Sequence, residues 1–324
     1  MISPFAPSSS QPGHGKILLS LLPPSIPILQ TCSYQYPLKL IAPHALTINN
    51  HIIYTVFLLT YGGGLVAGDA LNLSIHLDPN TRLVLLTQGS TKIFKTPSRE
   101  LVSRQYTRLF VDQGAGLCYI PDPVQPFKDS CFEQVQIFEV PEGGSICICD
   151  WVCQGRTARG ENWHFYKYTS KNEVYLTDKE TGKRRLLLRD NVLLEDGTTN
   201  DPLSYANRID SLGVFGTLIL RGPLFEKLGK YFMAEFAILP RIGARNWDGD
   251  VDDETDLVDV KRKRRQRQET KDGLLWTAAS MRGFVLVKFG AKEVEGVKRW
   301  LGVMLRTEGS VETLFGEGSL LCLK

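Results

Sequence analysis

An all-β scaffold is the fold this sequence predicts: stacked or wrapped multi-stranded sheets, β-helix-like, with about two helices toward the C-terminus. Short strand-like runs punctuated by turn residues fill the chain to about residue 220. Helical periodicity is scarce and late. The strands recur at irregular spacing, which disfavours a propeller with its even repeat.

The runs fall, in order, at Tyr34 to Ile41, Tyr54 to Thr60, Leu71 to Leu77, Leu83 to Thr87 and Leu101 to Val111. They continue at Val135 to Val140, Ile146 to Val152, Trp163 to Tyr168, Val174 to Thr177, Arg185 to Leu194 and Val214 to Leu220. The cleanest sets Leu71, Leu73, Ile75 and Leu77 against Asn72, Ser74, His76 and Asp78, a period of two that fits one buried face. Pro223 to Phe232 predicts a helix with proline in an early position. Val294, Val297, Trp300, Leu301, Met304 and Leu305 mark a second, amphipathic one.

Composition narrows the class. The 324 residues, 43% apolar and 23% charged, match an ordinary soluble globular protein. A net charge of +3 is too small to imply a polyanionic partner. Ile17 to Leu22 is cut short by Pro23, Pro24 and Pro27, so it reads as neither a membrane span nor a secretory segment. Seven cysteines, an odd number, suit a reducing compartment, and the expected location is the cytoplasm.

Four segments organise the chain. Residues 1–13, rich in Ser and Pro, read as a disordered tail, and 14–245 as the β scaffold. Residues 246–272 read as a charged, disordered insert: seven acids lie between Asp248 and Asp259, and "KRKRRQR" at Lys261 to Arg267 holds six bases. Residues 273–324 supply a strand and an amphipathic helix that complete the same domain. The basic run also admits a nucleic-acid reading, but no aromatic residues interleave it for stacking.

Three stretches carry candidate chemistry. In "TYGGGLVAGD", Gly62, Gly63, Gly64 and Gly68 suit tight turns or close backbone approach. Asp69 beside Val66, Ala70 and Leu71 risks burial and so needs a partner, a metal or a proton. In "LTQGSTKIFKT" a strand ends in Thr87, and the following turn gathers Ser90, Thr91 and Lys92. In "DWVCQGRTARGENWHFYKY", Asp150 interrupts an apolar run, while Arg156 and Glu161 sit around Gly155 and Gly160. That Arg and Glu suit a structural pair or the lining of a polar channel.

Several motifs in order resemble the urease accessory protein D family (UreD, also called UreH) in its eukaryotic, fungal-like form. They are "GHGKILL" at 13–19, "YQYPLKLIAP" at 34–43, "TYGGGLVAGD" at 60–69, "LTQGSTKIFKT" at 86–96, "YIPDPVQPFKDSCFEQVQIF" at 119–138 and "DWVCQGRTARGENWHFYKYTS" at 150–170. The resemblance implies a non-enzymatic β-rich scaffold that binds urease apoprotein and, with UreF-like and UreG-like partners, delivers nickel. It also implies a polar tunnel, to which Asp69, Thr87, Ser90, Thr91, Lys92, Asp150, Arg156 and Glu161 are assigned. Asp69 would be a transient nickel ligand, and no cofactor would be held tightly. Ala67, Leu86 and Phe94 depart from the family pattern, and the ending "VETLFGEGSLLCLK" and the charged insert do not resemble it.

Two rival classes stand beside this reading. A metal-dependent hydrolase would need ligands such as Cys147, Cys149 and Asp69, with Cys153 nearby in "CICDWVC". Against it, there is no H-E-x-x-H, and the five histidines are scattered. A basic nucleic-acid-binding protein would rest on Lys261 to Arg267 alone. The favoured reading expects neither nucleic acid nor membrane as partner.

Overall fold

The computed structural model describes residues 11–178, 181–195, 209, 211–239 and 257–324. A hairpin opens the chain, formed by β1 (His14–Leu22) and β2 (Ile26–Tyr34). Next, β3 (Leu38–Ile41) and β4 (Leu46–Ile48) both pair antiparallel with β5 (His51–Thr60). The chain then winds in successive coils. The first is β5, β6 (Gly64–Leu65) and β7 (Ala70–Leu77); the second is β8 (Arg82–Leu86), β9 (Thr91–Ile93) and β10 (Ser103–Val111). The third is β11 (Gly116–Tyr119), β12 (Val124–Pro126) and β13 (Cys131–Glu139). In the fourth, β14 (Ser145–Cys153) leads through a loop to β15 (Lys167–Thr177).

Stacking the coils lays like strands side by side and parallel. Strands β7, β10, β13 and β15 make one face, β5, β8, β11 and β14 a second, and the short β6, β9 and β12 a third. The expected β-helix-like scaffold is therefore present. Beyond the coils, β16 (Arg184–Glu195) returns antiparallel to β15. The second face is extended by β17 (Val214–Arg221) and by the hairpin of β18 (Leu275–Met281) and β19 (Phe284–Ala291).

Each face buries its side chains differently, which explains which strands the sequence displayed. On the first face β7 and β10 alternate between buried and exposed positions, because one side meets the core and the other water. On the second face β8 and β14 are buried throughout. Ile146, Ile148 and Val152 of β14 enter the core inside the coils, while Cys147, Cys149, Trp151 and Cys153 enter a second core beneath the helices. Covered on both sides, such strands read as continuous apolar runs.

Two sequence expectations need correction here. Tyr34 to Ile41 is not one strand but the end of β2 and the whole of β3, joined by a turn at Gln35, Tyr36 and Pro37. Trp163 to Tyr168 is mostly irregular, with Trp163 at a positive φ of 58°, and β15 begins only at Lys167. Strands β1, β4, β6, β9, β11 and β12 lie outside the expected set; all but β1 are only two to four residues long.

Helices cover the outer side of the second face. A turn at Pro223–Phe225 leads into α1 (Glu226–Ala237), followed by α2 (Leu257–Asp272), α3 (Val294–Glu308) and α4 (Ser310–Phe315). Gly309, in the left-handed conformation, ends α3 by donating its N–H to the Leu305 carbonyl. Phe232 of α1 and Trp300 of α3 close on Trp276 of β18, with the two indole centroids 5.4 Å apart. Each such aromatic contact contributes about 0.5–1.5 kcal/mol beyond the area it buries.

The basic run is helical, against the expectation of a disordered insert. Arg262 and Arg265, three positions apart, lie on one face and both reach Glu235 of α1, at 3.0 and 2.9 Å. Arg265 also pairs with Glu269 one turn on, at 2.7 Å. The acidic stretch between 246 and 256 lies outside the described residues, as does the tail before residue 11. Order already holds at Gly13, whose N–H donates to the Tyr36 carbonyl at 2.8 Å.

The triple glycine divides its work. Gly62 and Gly63 have φ of 77° and 73° in open surroundings, so their requirement is conformational. Gly64 is extended, but a Cβ there would lie 2.3 Å from the Lys92 carbonyl oxygen, so its requirement is close approach between β6 and β9. Gly63→Val is expected to destabilise the fold by about 1–3 kcal/mol through backbone strain alone. An unchanged urea midpoint would contradict this. Glu235→Ala should undock α2, so that trypsin cuts 261–267 much faster while the β scaffold stays resistant; equal cleavage rates would show that the Arg262 and Arg265 pairs do not hold the helix.

Candidate functional site

Inside the coils the apolar core gives way to polar rows. At one level Ile75, Leu109, Phe138 and Val174 stack. Two residues along, Leu73, Thr107, Gln136 and Asn172 stack; two further, Leu71, Gln105, Gln134 and Ser170. Because side chains alternate with period two, the same inner face carries Phe132, Gln134, Gln136 and Phe138 along β13.

Asp150 enters this space from the opposite face. It replaces an apolar residue between Ile148 and Val152 on the inner side of β14. The hydroxyl of Ser170 and the amide of Asn172 each donate to its Oδ2 at 2.6 Å, and Gln134 Nε2 donates to Oδ1 at 3.0 Å. A buried carboxyl costs several kcal/mol without such donors. Burial pushes the Asp150 pKa above the usual carboxylate range, while the three donors oppose the shift. Burial likewise raises the pKa of Tyr119, and the nearby Asp150 charge adds to it.

A small cavity of about 20 Å³ runs among Gln105, Tyr119, Gln134, Gln136, Asp150 and Thr91, and reaches Thr87 and Asp122. That is room for a water-sized species. The Gln136 Oε1 acceptor and the Thr107 hydroxyl are buried without a protein partner. Both are the kind of group that a buried water satisfies.

Thr87 and Asp122 also line a larger surface cavity of about 540 Å³, with Ile41, Phe57, Gln88 and Lys298. They therefore stand at the mouth between inside and outside. Thr87 follows directly on β8, and Asp122 follows β11. The Asp122 N–H donates to Thr87 Oγ1 at 2.8 Å, the Thr87 hydroxyl donates back to Asp122 Oδ2 at 3.3 Å, and the Gly89 N–H donates to the same Oδ2 at 2.9 Å. Lys298 of α3 meets Oδ1 at 2.8 Å. Cys322, in the C-terminal turn Glu317–Leu323, donates to the Thr87 carbonyl.

The structure brings together only some of the residues assigned from sequence. Thr87, Thr91 and Asp150 line the interior. Asp69 does not: it is half-buried in a turn, where its Oδ2 accepts the Val66 N–H at 2.9 Å, so its burial is relieved locally and neither Lys92 nor Arg156 pairs with it. Ser90 is half-buried in the loop before β9, and Lys92 is exposed. Arg156 and Glu161 form a forked pair, closed by Arg156 Nε to Glu161 Oε2 at 2.9 Å, and the guanidinium stacks on Phe127. Hydrogen bonding from Arg156 holds the Glu161 pKa below its usual range. This pair closes the fourth coil's loop, where a Cβ on Gly155 would meet the carbonyls of Glu161 and Pro126. Gly68 and Gly160 adopt positive φ.

The hydrolase ligand set does not assemble. Cys147 and Cys149 share a face, as expected, but it is the face away from Asp150, under the helices, and Asp69 is not with them. Burial raises the pKa of Cys149, and a hydrogen bond with Cys118 is the leading cause for Cys147. Such thiols stay protonated and are poor ligands. Among the described residues, no group of three or more His, Cys, Asp or Glu is arranged to hold a metal ion. The basic run spends Arg262 and Arg265 on internal pairs. No helix among the described residues is long and apolar enough to cross a membrane.

Sequence reasoning missed Gln105, Asp122, Gln134, Gln136, Ser170, Asn172 and Lys298. One signal was available: glutamines at 134 and 136 occupy the inward positions of an alternating strand whose flanks on that face are Phe132 and Phe138. Nothing local marks Lys298 as a partner of Asp122.

These features define the class first: a coiled β scaffold with a polar, oxygen-lined interior. The model of the UreD urease accessory protein family matches residues 18–315, and the chain belongs to that family. It is similar to urease accessory protein 4 of Cryptococcus neoformans, 30% identical over 94% of this chain and 93% of the relative. It is similar also to a urease accessory protein ureD-like of Schizosaccharomyces pombe, 31% identical over 82% of this chain and 84% of the relative. Urease accessory protein UreD of the bacterium Sorangium cellulosum is 36% identical over 60% of this chain and 57% of its own.

The raised Asp150 pKa has a measurable sign. Between the ordinary carboxylate range and that raised value the folded protein keeps a proton that the unfolded chain has lost, so this residue's contribution to stability falls as pH rises. Relative to wild type, Asp150→Asn is therefore expected to gain stability with rising pH across that window, read from urea unfolding at a series of pH values. A pH-independent difference would contradict it.

Proposed function

We propose that this protein is a non-catalytic scaffold for urease maturation in the cytoplasm. It binds urease apoprotein together with UreF-like and UreG-like partners and passes nickel through its polar interior toward the urease site. One observation carries the reading: oxygen-bearing side chains run inside the coils from Thr87 and Asp122 at the mouth, past Thr91 and Gln136, to Gln134 and Asp150. A β core is ordinarily apolar, and buried polar groups are costly unless they are hydrogen-bonded, as most of these are. Nickel is the cargo here and not a resident cofactor.

The chemistry suits transfer better than storage. A borderline divalent ion accepts carboxylate, amide, hydroxyl and water oxygens, but tight sites add thiolate or imidazole. The passage has one inner carboxylate, already shared among three donors, a second at the mouth held by Lys298, Thr87 and Gly89, and neutral groups between them. An ion would find many weak positions and no deep one. Membership in a family of urease accessory proteins supports the destination. Asp69, Ser90, Lys92, Arg156 and Glu161 act in this reading as turn and loop supports beside the passage.

In a host that makes its own urease, deleting the gene should leave urease expressed but without nickel. Complementation with Asp150→Asn is expected to restore partner pull-down at wild-type levels with less nickel per urease active site. Normal nickel in the deletion strain would refute the role, and full loading by Asp150→Asn would remove the interior from it.

A further inference from the structure

The pairing of Lys298 with Asp122 does more than fasten a helix. Asp122 is 6% exposed and Lys298 16%, so both are largely withdrawn from water at the point where the outer cavity meets the inner one. One carboxylate oxygen, Oδ2, is fixed by neutral donors from Thr87 and Gly89. The other, Oδ1, meets the ammonium at 2.8 Å, and the neutral Cys322 thiol also bonds to the carboxylate. The carboxylate is thus held in place whether or not Lys298 is there, and the position in front of Oδ1 is built for a cation.

The two partners come from different parts of the fold. Asp122 and Thr87 belong to the coils; Lys298 is carried on α3, on a flexible four-carbon stem beside the 540 Å³ outer cavity. A divalent ion arriving at Oδ1 repels the ammonium and outcompetes it for the carboxylate, and the outer cavity gives the side chain somewhere to go. We propose that Lys298 is a tethered counter-cation that closes the mouth over Asp122 and is exchanged for the incoming divalent ion. This rests on the passage reading above. Lys298 is then a positioning and gating residue, and Asp122 the first oxygen ligand of the path.

The exchange predicts a specific dependence. Removing the ammonium leaves Asp122 free for the ion, so Lys298→Met and Lys298→Gln should bind Ni2+ at least about tenfold more tightly than wild type, since a competing unit charge at contact distance is removed. Lys298→Arg keeps a cation and should bind as wild type does. Adding Asp122→Asn to Lys298→Gln should abolish the gain. The measurement is equilibrium dialysis of NiCl2 against the purified full-length chain, with nickel per urease active site read in parallel for Asp150→Asn. If Asp150→Asn lowers loading while neither Lys298 variant tightens Ni2+ binding, the gate is wrong and the passage stands. If Asp150→Asn loads urease fully, the passage fails and the gate with it. Unfolding of both Lys298→Met and Lys298→Gln would also overturn the proposal, since the pair would then be a structural clamp.

Discussion

The carboxyl of Asp150 sets the terms for the coils around it. An acid inside a β core survives only if donors from neighbouring strands reach it, and here they come from β13 and β15 on the facing sheet. Those donors must stand at matching heights. Parallel stacking supplies that, because Gln134 and Ser170 share one level and Gln136 and Asn172 the next. Gln136 also accepts no bond through Oε1 while its Nε2 donates to Asn172 at 2.9 Å, so the network continues beyond the carboxyl without closing on itself. A polar row inside a solenoid is thus a cooperative feature, and its members are not independent.

The second constraint is that the face carrying Asp150 is buried on both sides. Its outer surface, with Cys147, Cys149, Trp151 and Cys153, needs an apolar cover, and α1, α3 and the C-terminal turn supply it. The cover then reaches the mouth: Lys298 projects from α3 to Asp122, and Cys322 bonds to Thr87. Among the described residues, helix α2 is held to the cover by charge, through Arg262 and Arg265 on Glu235. Its run of bases is compatible with folding because two of them are neutralised inward.

Much of the scaffold was legible residue by residue. Strand β7 was readable because its outer side faces water, so its pattern alternates. Strands β8 and β14 were readable as apolar runs of strand length. The helix α3 followed from its periodicity and ends at Gly309. Strands β9, β11 and β12 were not legible, since three or four residues carry no period and the prolines around β12 argue for a turn. The helical state of 257–272 was hidden because the partner of its arginines, Glu235, lies 27 positions upstream of Arg262 on another helix, and composition alone argued for a solvated segment.

For the site, the chain order determined which residue types were out of place: Asp150 in an apolar run, Thr87 at the close of a strand, three glycines before a short strand. Those are local signals, because burial of the flanking residues is written into the alternation itself. What only the tertiary structure decided is which of the anomalies meet. Asp69 and Asp150 look alike in sequence, yet one caps a turn half in water and the other is buried among three donors from other strands. The mouth joins Thr87, Asp122 and Lys298 across more than two hundred residues of chain. Such a meeting depends on the pitch of the coils and the angle of a covering helix, which are properties of packing and leave no mark on any single stretch of sequence.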